Sequence, residues 1–304
     1  MRPLNEWEHS VNYLGHYKRE KRPTTIYRLP VLMLMVALAV VGCATAGEQE
    51  EKDASPSEEV SLRVSGSGTA LPLVEKLAEA YSQEHPEIGF QFDPGTNSSG
   101  AIEGLLAGNL DLAVANRPLE EDEAEEPLVY STFAQDAVVF VAYRNEKVEG
   151  LSTQQIQDVY SGKVTDWSEL GGSAGEIVVL DRDADESARK LVLVPFMDDR
   201  PVEARTVVLD RAGEMVEAIK TTPNSIGYSS LGLILKEQDP NLQILALDGV
   251  VPTPEAVEDG EYPWYLTFGL IHNDNILEEV REFVAFASGP EGRRIAEENG
   301  YTGI

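Results

Sequence analysis

The stretch LRVSGSGTALPLVEKLAEAY, residues 62–81, carries the reading of the fold. Leu62-Arg63-Val64 is a short strand that runs into the hydroxyl- and glycine-rich turn Ser65-Gly66-Ser67-Gly68-Thr69. Pro72 then opens a helix, because a first-turn residue has no intrahelical use for its N–H. Leu73, Val74, Leu77 and Tyr81 follow the helical period. The same order returns downstream. Ile88, Phe90 and Phe92 alternate as a strand, and the loop Gly95-Thr96-Asn97-Ser98-Ser99-Gly100 opens a second helix with Ile102, Leu105 and Leu106 on one face. Leu112 to Ala115 is the next strand, ending at Asn116-Arg117-Pro118. Strand, small-residue turn and helix in repetition predict an α/β fold with a mainly parallel sheet covered by helices.

A second α/β region follows. Ala137 to Tyr143 is a continuous apolar strand, long enough to cross between two lobes. Ser152 and Gln155 make a capping box, and Leu151 with Ile156 a hydrophobic staple, so a helix starts there. Ile177 to Leu180 and Ile226-Gly227-Tyr228 read as buried strands, and Tyr262 to Leu270 as the strand that returns to the first region. A helix over Ile276 to Ala287 packs back on that region, and Asn299-Gly300 stops the last helix. Trp167, Tyr160 and Tyr228 are expected to pack the second lobe. No internal repeat is present.

The first 42 residues read as a leader rather than as fold. Lys18, Arg19, Lys21, Arg22 and Arg28 precede an apolar run from Leu29 to Val41, too short to span a bilayer comfortably as a helix. The run exits through Val40-Val41-Gly42-Cys43, which resembles the lipobox of bacterial lipoproteins. That resemblance implies cleavage before Cys43 and acylation at that residue, with two or more chains for stable anchoring. Cys43 is the only cysteine, so no internal disulfide is expected. Residues 43–60 are then a lipidated cysteine and an acidic tether with little to pack. Of 24 basic and 53 acidic residues, 6 and 3 fall in the first 42, leaving a mature net charge of −32. Such a surface excludes nucleic acid as a natural partner. It also repels anions at long range, so an anion site must act locally through N–H groups, hydroxyls and a few arginines.

Three strand-to-helix turns, 65–70, 96–100 and 182–188, combine those donors with helix N-termini, where free N–H groups and the helix dipole favour anions. Catalytic readings are poor. After the leader only His85 and His272 remain, neither near a nucleophile motif. Ser187-Ala188-Arg189-Lys190 matches Ser-x-x-Lys but lacks its partner motifs. Asp181, Asp183 and Asp185 imitate the start of a calcium loop, yet Glu186 stands where the loop needs glycine and Val192 where it needs glutamate. No cofactor and no metal are expected.

The segment Gln155-Ile156-Gln157-Asp158-Val159-Tyr160-Ser161-Gly162-Lys163-Val164-Thr165-Asp166-Trp167 resembles the phosphate-binding members of the type II periplasmic binding protein family. Ser225 to Gly232 and the ending Ser288-Gly289-Pro290-Glu291-Gly292…Gly300-Tyr301 are similar as well. The resemblance covers nearly all of residues 61–304. It implies two lobes, 61–138 plus 262–304 and 139–261, with a ligand cleft between them. It also implies a monomer outside the cytoplasm that delivers phosphate or a similar oxyanion to the permease subunits of an ABC importer, held to a membrane through Cys43.

By that resemblance, Ser67, Thr69, Ala70 and Leu71 contribute hydroxyl and N–H donors, and Ser98 the serine of the second turn. Asn116 takes a position where some members place aspartate, and others serine followed by arginine; here Arg117 follows. Arg182 matches the arginine ahead of a Ser-Gly-Thr turn, but this chain has Glu186-Ser187-Ala188 there. A carboxylate beside a divalent anion is costly unless it accepts a hydrogen bond from a proton-bearing hydroxyl of that anion, which hydrogen phosphate has and sulfate lacks. Glu186 is thus either such an acceptor or an acid favouring a helix N-terminus from solvent. Arg117 and Arg182 are either ligand donors or surface arginines paired with Glu120, Asp181 or Asp183. The alternative function is a lipid-anchored sensor or surface-interaction protein that kept the fold with another ligand or none.

Overall fold

The computed structural model describes residues 60–93, 96–144 and 147–304. The leader, Cys43 and all of the tether but Val60 lie outside the described residues, as does Gly95.

Three strand–helix steps build the first lobe. β1 (Val60–Gly66) leads into α1 (Leu71–Glu84), β2 (Ile88–Phe92) into α2 (Ser98–Leu106), and β3 (Leu112–Ala115) into a short 3-10 turn. β1 pairs in parallel with β2 and β3. Pro72 lies in the first turn of α1, and Leu73, Val74, Leu77 and Tyr81 are buried on its inner face. α2 begins at Ser98, one residue past Asn97, whose side chain accepts from the Gly100 N–H at 2.8 Å. The hydroxyl of Ser98 therefore belongs to the first helical turn rather than to the preceding loop.

β4 (Leu128–Tyr143) is sixteen residues long, more than twice the predicted apolar run. Its outer end, Leu128 to Thr132, is only partly buried and lies outside the continuous apolar run. β4 changes partner midway. Residues 128–137 pair antiparallel with β11 (Tyr265–Asn273), and residues 138–142 with β8 (Ser225–Ser230). One chain thus joins both lobes.

The second lobe carries β5 (Gly150–Leu151), α3 (Thr153–Tyr160), β6 (Val178–Arg182), a π-helical turn (Arg189–Leu193) running into α4 (Val194–Phe196), β7 (Thr206–Leu209) and α5 (Ala212–Thr221). After β8 come α6 (Leu231–Glu237), β9 (Leu242–Ile244), β10 (Ala246–Leu247) and α7 (Pro254–Glu258). α8 (Glu278–Ala287), α9 (Pro290–Glu298) and β12 (Thr302–Gly303) follow β11. The sheet order is β2-β1-β3-β11-β4-β8-β6-β7, with β9 and β12 also on β4. Each lobe therefore has a parallel trio, and the antiparallel β4 and β11 link them.

The α3 capping box forms as the sequence predicts, with both Ser152–Gln155 hydrogen bonds made. Gly300, at φ 83°, ends the chain's last helix in the left-handed region. Tyr160, Trp167 and Tyr228 are buried, and Phe140 packs on Phe196 at a centroid distance of 4.8 Å. In the first lobe Tyr81, Phe90 and Phe283 form the matching aromatic cluster. Each such ring contributes about 1.5–3 kcal/mol of burial.

Candidate functional site

Parallel strands β1, β2 and β3 of the first lobe and β6 and β7 of the second end at one cleft. From the first lobe β1 delivers Ser67, Gly68 and Thr69, β2 delivers Thr96 to Ser99, and β3 delivers Asn116 and Arg117. From the second, β6 delivers Asp183, Asp185, Glu186 and Ser187, and β7 delivers Asp210 to Glu214. The carboxyl ends of parallel strands are where open α/β sheets bind ligands. The cavity holds about 730 Å³.

Gly66 lets the first wall form. A Cβ there would meet the Val114 carbonyl oxygen at 2.1 Å, so only glycine brings β1 close enough for the Ser67 N–H to bond that carbonyl at 2.8 Å. The side chains beyond it make a chain of buried polar contacts. Ser98 Oγ donates to Asn116 Oδ1 at 3.0 Å, and Asn116 Nδ2 donates to Thr69 Oγ1 at 3.0 Å. Thr69 Oγ1 and Ser67 Oγ are 2.9 Å apart. If one of these two hydroxyls donates to the other, the second keeps a proton for the cleft. The first N–H groups of α2, which no intrahelical carbonyl reaches, flank the same wall.

Ala70 and Leu71 do not line the cleft. Their N–H groups both donate to the Ser67 carbonyl, at 3.1 and 2.9 Å, in the turn that starts α1, and are not free for a ligand here.

Arg117 is buried, but its guanidinium is held by a bidentate pair with Glu123 at 2.6 and 2.7 Å and by Ser99 Oγ at 2.9 Å. Glu120 lies 3.5 Å from its Nε. The Arg117 hydrogen bonds hold the Glu123 carboxyl below its ordinary range. The sequence reading offered Glu120 as partner and missed Glu123, which sits on the 3-10 turn three residues further on.

Arg182 is also buried and does not face open solvent as a surface arginine. Its Nη2 lies 2.6 Å from Glu186 Oε1, and it donates to the Leu209 and Asp210 carbonyls at 3.2 Å each. Neither Asp181 nor Asp183 takes its guanidinium. Asp181 instead accepts from Tyr228 Oη at 2.8 Å and Arg189 Nε at 3.0 Å, buried away from the exposed Asp183 and Asp185. Glu186 pairs with Arg182 at the cleft wall and stays partly exposed there.

The chain matches a family model described as the PBP superfamily domain over residues 48–290. The chain belongs to this superfamily. Among relatives of this PBP chain, the phosphate-binding protein PstS of Borreliella burgdorferi is 25% identical over 251 residues, 80% of this chain and 90% of that protein. PstS of Bacillus subtilis is 27% identical over 245 residues, 78% and 80% respectively. A Clostridium perfringens protein crystallised with bound phosphate superposes with a TM-score of 0.70 at 27% identity, covering 80% of this chain and 99% of that one. An ABC-type phosphate transport receptor of Vibrio cholerae gives 0.61 at 26%, covering 80% and 100%. The two-lobed α/β architecture of this PBP chain agrees with the fold expected from its sequence.

The cleft also contains residues the sequence reading passed over: Asp210 and Arg211 after β7, and Glu214 in the first turn of α5. Val207 and Val208 are exposed, so β7 lacks the buried apolar run that would have marked its strand and the turn after it.

Proposed function

We propose that this PBP chain is an extracytoplasmic binding protein that captures phosphate and presents it to an ABC importer. The observation that carries this reading is the Ser98–Asn116–Thr69–Ser67 network, a preorganised row of uncharged polar groups on the cleft wall that ends in a hydroxyl pair with a proton left for a ligand. Relatives named as phosphate-binding proteins over most of their length support the ligand. Donors fixed before the ligand arrives need little ordering on binding.

The lobes in this proposal are 61–138 plus 262–304 and 139–261, supported by the change of β4 partner between Ala137 and Val138. Ligand favours the closed state by touching both walls at once. Cys43 carries the lipid that holds the monomer to its membrane, and substrate passes to the permease without covalent chemistry.

Calorimetric titration of the purified protein with phosphate, sulfate and molybdate tests the reading. One-to-one binding with phosphate preferred supports it. A preference for another oxyanion moves the substrate, and silence from all three in folded, ligand-free protein removes the transport role in favour of a sensor or surface role.

A further inference from the structure

The second wall of the cleft holds one arginine whose charge is not already engaged. Arg211 follows β7, precedes α5 and lines the cavity. Its side chain is exposed and forms no ion pair among the described residues. The other two candidate arginines differ. Arg117 is bound bidentately by Glu123, and Arg182 by Glu186.

The backbone under Arg211 is fixed on both sides. A Glu214 carboxylate oxygen accepts from the Asp210 and Arg211 N–H groups at 3.2 and 3.3 Å. Arg182 donates to the Leu209 and Asp210 carbonyls. Arg211 thus hangs from a pinned turn next to Arg182, with only its side chain at liberty. The wall around it is otherwise anionic, carrying Asp183, Asp185, Glu186, Asp210 and Glu214. At the 186–188 turn no side chain offers a cation, because the only charge there is Glu186. An oxyanion seated on the first wall would meet carboxylates from this side unless a cation intervened. A planar guanidinium suits that duty, since it offers paired donors to two oxygens of one anion.

We propose that Arg211 is the second lobe's oxyanion-contacting residue in this chain, reaching across the cleft to an anion held by the Ser67–Thr69 hydroxyl pair and the backbone N–H of Ser98. It takes over the contact that the Glu186-Ser187-Ala188 turn does not provide. This inference rests on the oxyanion reading above and adds the residue that sets its strength.

Phosphate is titrated calorimetrically into the wild-type protein and the variants Arg211→Ala, Arg211→Lys and Arg205→Ala, at low salt and at about 1 M salt. Arg205 is exposed and does not line the cleft, so its variant controls for net charge alone. Loss of a charge-assisted contact corresponds to about a 10- to 100-fold weaker Kd for Arg211→Ala. That loss is expected at both salt concentrations, because the Debye length of about 3 Å at 1 M removes only long-range effects. Arg211→Lys should fall between, keeping the charge without the fork, and Arg205→Ala should stay within about twofold of wild type. Thermal unfolding of Arg211→Ala should match wild type, since no partner is stranded. Wild-type binding with Arg211→Ala undiminished, or a loss that disappears at 1 M salt, overturns the inference and leaves the phosphate reading standing. A wild-type protein that takes up no phosphate overturns both.

Discussion

Arg182 and Glu186, one turn apart on the second wall, form an ion pair of 2.6 Å in which the arginine is almost wholly buried and the glutamate faces the cleft. The pair sits where the resembling family places an arginine and an uncharged donor turn. On the proposed phosphate reading, the Glu186 carboxylate accepts a hydrogen bond from a proton-bearing oxyanion and repels a fully ionised one.

The first prediction is therefore about selectivity. Glu186→Gln removes the negative charge that repels sulfate and, with the amide oxygen kept on Arg182, turns an N–H donor toward the ligand in place of the carboxylate acceptor. The ratio of sulfate to phosphate affinity should rise about tenfold or more, on the scale of one charge-assisted hydrogen bond. Competition calorimetry reads the ratio, and an unchanged value would remove Glu186 from ligand discrimination.

Thr69 is the joint of the first wall, accepting from Asn116 and touching Ser67. Thr69→Val keeps the shape and deletes the hydroxyl, leaving Asn116 Nδ2 short of a buried partner. The stability loss should be about 1–3 kcal/mol in urea unfolding. Phosphate affinity should fall about tenfold or more, because the variant also breaks the Ser67–Thr69 hydroxyl pair that keeps a proton for the cleft. Full affinity in Thr69→Val would mean that the polar row supports the fold alone.

Much of this was legible in the sequence, for identifiable reasons. The turns at 65–70 and 96–100 show because small polar residues interrupt strong apolar periods, and the Ser152–Gln155 box shows because its two hydrogen bonds are local. What stayed hidden depends on contacts distant in sequence or on weak periods. β7 exposes Val207 and Val208 and gives no buried-strand signal, so Arg211 behind it went unread. The residue type at 117 and 182 pointed to anion chemistry. Only the folded chain shows that Glu123 and Glu186 already occupy those guanidinium groups.

Across the cleft mouth, Lys190 Nζ, beyond β6, stands 3.7 Å from Glu120 Oε1, beyond β3. Both side chains are more than two-fifths exposed, so the pair acts as a weak clasp of about 0–1 kcal/mol. Lys190→Ala should raise phosphate Kd no more than about fivefold, chiefly through a faster off-rate in stopped-flow chase. The difference should vanish near 1 M salt, where exposed pairs are screened. A loss that survives high salt would show Lys190 contacting the ligand itself.

The last prediction concerns Asp136, on the strand that joins the lobes. It is fully buried, accepts from Ser230 Oγ and from the Gly232 N–H at 3.2 Å, and has no cationic partner among the described residues. Burial pushes its carboxyl up to about 7, against an ordinary value of 3.8. In the unfolded chain this group loses its proton near pH 4, while the native state keeps it until about pH 7. Between those values the native state binds more protons, so this group's contribution to stability falls as pH rises, then levels off above pH 7. The full fall is on the order of 4 kcal/mol. Asp111 and Glu123, held below their ordinary range by Arg63 and Arg117, act in the opposite sense and lose their contribution as pH drops toward 4 and below. The difference between wild type and Asp136→Asn isolates the buried group. Urea unfolding at pH 5 and pH 8 should show the variant gaining on wild type by a few kcal/mol at the higher pH, because the amide has no proton to lose. Parallel pH profiles for the two proteins would mean that Asp136 is ionised in the native state already at pH 5, with solvent reaching the strand that joins the lobes.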